Sequence, residues 1–215
     1  MKIELKNINK FVKVKNKKLK ILDDINLTIE DNTNLFITGP SGAGKSTLLK
    51  ILGLIDPDFD GSYLINGKDI KSYSKKDLRE IKKNKFAFIF QEYVLLEEES
   101  LLNNLKFLSD DVDKILQISK VLELEDYLDV EVYKLSGGQR QRAAIARALS
   151  SPCEILFADE AFNSLDKELT NKILNYIKNS PIKNFILVSH MEALKDSLNF
   201  KTIKLGKGKI LYSDN

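Results

Sequence analysis

A chain of 215 residues, 43% hydrophobic and 30% charged, can bury a sizeable core as one domain and is too apolar to be disordered. Its net charge of +3 is too small to argue for nucleic acid, and its one cysteine, Cys153, excludes an intrachain disulfide and a cysteine-built metal site, as suits a reducing cytosol. No apolar run approaches the roughly 20 residues of a membrane helix, and the opening MKIELKNINK lacks the apolar stretch of a signal peptide, so any spanning part is expected from another chain.

Residues 1–30 read as strands. Ile25, Leu27 and Ile29 alternate with polar neighbours, and Ile3, Leu5 and Ile8 nearly do. Between them KFVKVKNKKLK reads as an exposed hairpin with a polar centre at Asn16-Lys17. Its lysines either guard a sheet edge or meet lipid headgroups. Residues 34–38 read as a strand and Lys45 to Leu54 as a helix that buries Leu48, Leu49, Ile51 and Leu52. IDPDFDGSYLING then supplies turn signals. FAFIFQ, residues 86–91, is a short apolar strand. Residues 101–128 read as helical, with Leu101, Leu102, Leu105 and Leu108, then Ile115, Leu116, Ile118 and Leu122, at helical spacing. EILFADE and NFILVSH are apolar strands of the kind a parallel sheet buries on both faces. Leu169, Ile173, Leu174 and Ile177 mark an amphipathic helix between them. KTIKLGKGKILYS closes the chain as a hairpin turning at Gly206 to Gly208. Strands alternating with helices predict an α/β fold around a largely parallel sheet.

GPSGAGKST follows the strand Leu35-Phe36-Ile37 and matches G-x-x-x-x-G-K-[ST] from Gly39 to Ser46. Its glycines let backbone N–H groups converge on an anion, and the following helix adds its dipole. Lys45 is placed to reach the β and γ phosphates, and the Ser46 hydroxyl to ligate Mg²⁺. The strand ILFA ends in two carboxylates. Asp159 can hold the Mg²⁺ hydration shell, and Glu160 can polarise an attacking water as general base. Further on, LSGGQRQRAAIARAL starts an alanine-rich helix on Ser136-Gly137-Gly138-Gln139, a serine cap beside bare backbone N–H groups. That is a second anion site. One ATP has one γ phosphate, already held by the first loop, so a second site makes sense if it serves the nucleotide of another subunit.

With these motifs in this order, the sequence resembles the ATP-binding cassette (ABC) ATPases over nearly its whole length. The resemblance implies a single domain over residues 1–215 with a P-loop NTPase core, a mostly parallel sheet, an N-terminal antiparallel β subdomain and a helical signature subdomain. It divides the chain into a core with the β subdomain (1–91), the helical part (92–150) and the rest of the core (151–215). It implies ATP and Mg²⁺ as cofactors. The loop residues Gly39, Pro40, Ser41, Gly42, Ala43, Gly44, Lys45, Ser46 and Thr47 then hold phosphate. Gln91 after FAFIF resembles the glutamine that senses Mg²⁺ and the attacking water, which adds it to Ser46 and Asp159 around the metal. Ser164-Leu165-Asp166 resembles the loop at the dimer interface, with Asp166 on the nucleotide side. His190, the only histidine, resembles the switch histidine that contacts the γ phosphate. Phe11 lies where the family has an aromatic that stacks on adenine.

Two positions depart from the family pattern: Ala161 follows Glu160 where proline is usual, and Met191 follows His190 where an acidic residue is usual. Both carboxylates survive, so hydrolysis is expected to survive. The resemblance further implies two cassettes packed head to tail, most simply as a homodimer. Each ATP then lies between one chain's Gly39–Thr47 and the other's Ser136, Gly137, Gly138 and Gln139. It implies a separate membrane permease, a cytoplasmic place on the inner membrane face, and no nucleic-acid partner. Tyr93, Val94, Leu95 and Leu96 are the candidates for the docking groove, and Glu97 to Glu99 read as a solvated acidic helix start. GLIDPDFDGSYLINGKDI and IKKNKFAFIFQEYVLL are similar to the lipoprotein-release, macrolide-export and cell-division cassettes, which move peptides or lipids or transmit force.

Overall fold

The computed structural model describes residues 1–15 and 17–213. Strand β1 (Ile3–Val14) and β2 (Lys17–Ile29) form the expected lysine-rich hairpin; Asn16, at its centre, lies outside the described residues. Then come β3 (Leu35–Thr38), α1 (Lys45–Leu52), β4 (Asp60–Ile65), β5 (Lys68–Asp69), α2 (Lys75–Lys85) and β6 (Phe86–Ile89). They are followed by α3 (Leu101–Lys106), α4 (Val112–Val121), α5 (Gly137–Ser150), β7 (Ile155–Asp159), α6 (Lys167–Lys178), β8 (Asn184–Val188), β9 (Lys201–Gly206) and β10 (Lys209–Ser213).

Two sheets result. One is antiparallel and four-stranded, ordered β2-β1-β4-β5. The other is six-stranded, ordered β10-β9-β3-β8-β7-β6, and all its pairs are parallel except the edge pair β10-β9. The fold is therefore the expected α/β one with an N-terminal antiparallel part.

The strand period of two divides the core. On β7, Ile155 and Phe157 face the antiparallel sheet and α1, while Leu156 and Ala158 face the helical layer. On β8, Ile186 and Val188 face the first side and Phe185 and Leu187 the second. Both strands are buried at every position, which is why they read as unbroken apolar runs. The first side also takes Leu48, Leu49, Ile51 and Leu52 of α1, as their spacing predicts. The second takes Leu101, Leu105, Ile115, Ile118 and Leu122.

Several expectations need correction. The α1 helix stops at Leu52, because Gly53 caps it and Leu54 turns to φ 57. Residues 60–65 are not only turns: Tyr63 and Ile65 are buried in β4, paired to β1. Helix α2 had no apolar pattern to announce it; none of its residues is buried, and a capping box between Ser74 and Asp77 starts it. The single helical stretch 101–128 is two α-helices, because the Asp111 side chain accepts from Lys114 N at 2.9 Å and starts a new helix. The restart changes the phase. Leu108 and Leu116, read at helical spacing with their neighbours, are 41% and 47% exposed.

Burial pushes the Cys153 thiol up to about 11, and the nearby Lys114 draws it back only partly. The raised value means that folding retains the proton. The group contributes stability below its ordinary value, and that contribution is lost as pH rises through about 11. At pH 8 the folded chain is expected to react with a thiol reagent at least about tenfold more slowly than the chain in denaturant. Equal rates would place Cys153 in solvent.

Candidate functional site

The candidate site assembles where β3, β7 and β8 end side by side. Pairing sets Ile37 against Val188 and Asp159 against Val188, so the loops leaving all three strands open at one edge of the sheet.

The loop after β3 is shaped by its contacts with the C-terminal hairpin. Gly39 has φ 142, and a Cβ there would lie 2.2 Å from the Leu205 carbonyl oxygen. Gly208, at φ 77 in the β9–β10 turn, leaves no room for a Cβ, which would meet Ile21 O at 2.5 Å. In return the Gly208 N–H donates to Ala43 O at 3.2 Å, and its carbonyl accepts from Asp23 N at 2.8 Å. The closing hairpin thus clamps the loop to β2.

Lys45 is 6% exposed. Its Nζ donates to Gly39 O at 2.9 Å and to Pro40 O at 3.1 Å, and it lies 3.4 Å from His190 Nε2. His190 Nε2 is also 3.2 Å from Glu160 Oε1. The second oxygen, Oε2, accepts from Asn163 Nδ2 at 2.7 Å. Lys45, His190 and Glu160, distant in sequence, therefore form one contiguous chain of polar contacts.

Asp159 closes β7 and is 7% exposed. Burial raises its carboxyl above the ordinary carboxylate value and Glu160 adds to the rise; the Ser46 hydroxyl and the Lys45 and Lys50 charges oppose it. Among the described residues its buried Oδ1 has no hydrogen-bond partner. A buried carboxylate oxygen without a donor is costly unless a cation or its water takes it. Among the described residues no group of three or more His, Cys, Asp or Glu is arranged around a metal. The donors on offer, one carboxylate and the Ser46 hydroxyl, fit a Mg²⁺ that draws its remaining ligands from phosphate and water.

Glu160 itself sits at φ 51, a left-handed conformation that is uncommon for glutamate. Its N–H donates to Val188 O at 2.9 Å, which anchors the backbone to β8. Ala161 is buried, and its carbonyl accepts from Gln141 Nε2 at 2.9 Å, a side chain that reaches across from α5. Met191, the other departure from the family pattern, packs partly against the helical core, and its N–H donates to Ser189 Oγ at 3.0 Å. Gln91 is exposed and lines a cavity of about 230 Å³ together with Glu160, Gln141, Asn163 and Ser164.

Among the described residues, Ser136 to Gln139, Asp166 and Phe11, also named from the sequence, make no hydrogen bond to Lys45, Asp159, Glu160 or His190. Ser136 and Gln139 form a capping box, with Ser136 N donating to Gln139 Oε1 at 2.8 Å and Gln139 N to Ser136 Oγ at 3.3 Å. Gly137 and Gly138 are exposed, and a Cβ at either position would meet nothing within 4 Å. Among the described residues no hydrogen bond joins this segment to Gly39–Thr47. Asp166 caps α6, its Oδ1 accepting from the Leu169 N–H at 2.8 Å. Phe11 is half-buried, and the Lys18 ammonium stands 4.2 Å from its ring centroid. Reading the sequence missed Asn163 and Gln141. The only signal for Asn163 was its place three residues after a candidate base, within a turn; Gln141 was hidden among the arginines of its helix.

Comparison with known proteins agrees with this geometry. The methionine import ATP-binding protein MetN 1 of Oenococcus oeni is 34% identical over 220 residues, covering 97% of this chain and 63% of the relative. The macrolide export ATP-binding/permease protein MacB of Hyphomonas neptunium is 32% identical over 219 residues, covering 97% of this chain and 34% of the relative. This chain therefore spans less than two thirds of the length of these curated relatives. Among solved structures, the dimeric post-hydrolysis state of the ATP-binding cassette MJ0796 bound to ADP and Pi superposes with a TM-score of 0.87 at 29% identity, covering 99% of this chain and 98% of that one. The family profile for ABC transporters matches residues 22–163, and the chain belongs to the ABC transporter family.

Proposed function

We propose that this chain binds ATP with Mg²⁺ at the loop after β3, hydrolyses it, and so powers a separate membrane permease. The observation that carries the reading is the convergence of Lys45, Asp159, Glu160 and His190 at the ends of three neighbouring strands. Lys45 and the loop N–H groups bind the β and γ phosphates. Ser46, Asp159 and Gln91 would hold Mg²⁺, which would supply charge neutralisation at the phosphates. Glu160 takes the proton of the attacking water as the oxygen adds to the γ phosphorus and ADP departs. His190 bridges Glu160 to the phosphate end of Lys45. Phe11 serves as the platform for the base.

The exposed residues Ser136, Gly137 and Gly138 support a second cassette as partner, since a nucleotide held by another copy could approach the glycine N–H groups there. Asp166 lines that same interface. Residues 1–91 and 151–215 make the nucleotide-binding core and 92–150 the helical part. A groove of about 610 Å³ beside β6, lined by Phe88, Phe90, Val94, Phe107 and Arg147, is the place for the permease to dock. Of the four apolar residues expected there, Val94 lines the groove, while Leu95 packs against the core. No helix of the described residues is long and apolar enough to cross a membrane; docking places the chain on the cytoplasmic face.

The reading is tested by titrating the purified chain with a fluorescent ATP analogue and measuring phosphate release with Mg²⁺ and with a chelator. Saturable binding with Mg²⁺-dependent release is expected. A chain that binds no ATP overturns the reading.

A further inference from the structure

Among the described residues, two groups hold the Glu160 carboxylate. His190 lies at Oε1, on the side of the phosphate loop, and Asn163 Nδ2 donates to the other oxygen, Oε2, at 2.7 Å. Glu160 and Asn163 line the same cavity as Gln91. The backbone beneath is fixed as well. Glu160 is tied to β8 through its N–H, and Gln141, 6% exposed on α5, holds the carbonyl of Ala161.

A glutamate side chain has three rotatable bonds, and a backbone anchor leaves its carboxylate free to swing. One strong donor on one oxygen removes most of that freedom and leaves the other oxygen directed. Charge-assisted bonds to carboxylates are the stronger kind, which suits a bond that must hold orientation. We infer that Asn163 is a positioning residue for this site, holding Oε2 of Glu160 so that Oε1 stays turned toward His190 and the loop after β3, the side on which the reacting water must lie. The inference rests on the reading of Glu160 as general base.

Asn163 is exposed, and its side chain supports no core packing, so its replacement should leave folding intact. Asn163→Ala is expected to lower kcat for ATP about tenfold, with KM and ATP affinity within about twofold of the parent. Asn163→Asp keeps the shape and the capacity to form the turn but removes the donor. It is expected to lose at least as much kcat as Asn163→Ala, whereas a role in turn geometry alone predicts near-parent activity for Asp. In single-turnover measurements on a Glu160→Gln background, adding Asn163→Ala is expected to lower the residual rate no further. An unchanged or raised kcat for Asn163→Ala, an active Asn163→Asp, or a full further loss on the Glu160→Gln background overturns the inference. If Glu160→Gln itself retains turnover, the reading of Glu160 as base has failed; if it is dead while Asn163→Ala is normal, only the role of Asn163 has failed.

Discussion

Glu160→Gln is expected to lower steady-state ATP turnover about 10³-fold while leaving ATP binding intact. The substitution is nearly isosteric, so the loop after β7 should keep its shape, with the backbone still tied to Val188 O at 2.9 Å. The amide cannot take a proton from water, and chemistry stops at the bound triphosphate. Two sites would then hold each nucleotide for long periods, one from each chain, and the paired state should accumulate. Light scattering of the variant with ATP and Mg²⁺ is expected to report twice the monomer mass, and without nucleotide the monomer mass. A variant that binds ATP yet remains monomeric would mean that a permease or a different cassette is needed for closure. Turnover at the parent rate would remove Glu160 from the chemistry.

Lys45→Ala should act earlier, on binding. The Lys45 ammonium is nearly buried and held among two loop carbonyls and His190. Charge-assisted hydrogen bonds are each worth about 1.5–3 kcal/mol. Losing even one such contact to phosphate therefore weakens ATP binding by about 10–100-fold, by direct titration. The two variants separate two failures: Glu160→Gln binds and does not turn over, while Lys45→Ala binds poorly to begin with. If Lys45→Ala bound ATP as tightly as the parent, the phosphates would have to lie elsewhere.

The central strands were legible because burial on both faces leaves no alternation, and a short run such as ILFA between polar neighbours suits a strand enclosed on both sides. The phosphate loop was legible because its glycines are dictated by geometry: the φ of Gly39 and the approach of Leu205 O admit nothing larger. Helix α2 was not legible, because it buries none of its residues and so carries no apolar period. The break before α4 was hidden because the leucines on either side share a helical spacing; only the Asp111 cap reveals the restart. At the site, Lys45, Asp159, Glu160 and His190 could be named from their motifs. Asn163 and Gln141 could not, because their contacts depend on the left-handed turn at Glu160 and on a side chain crossing between layers.

The alternation along β7 and β8 has a mechanical consequence. These strands form a wall between two close-packed masses, and each of their apolar residues bears on one or the other. Such interiors are nearly incompressible. A load placed on one face is therefore passed through the wall to the mass behind it and is not absorbed within it. Asp159 and the loop carrying Glu160 stand at the tip of β7. Because Asp159 and Glu160 stand on one strand end, a shift of about an ångström there would misplace both carboxylates together, enough to change a rate about 10²-fold.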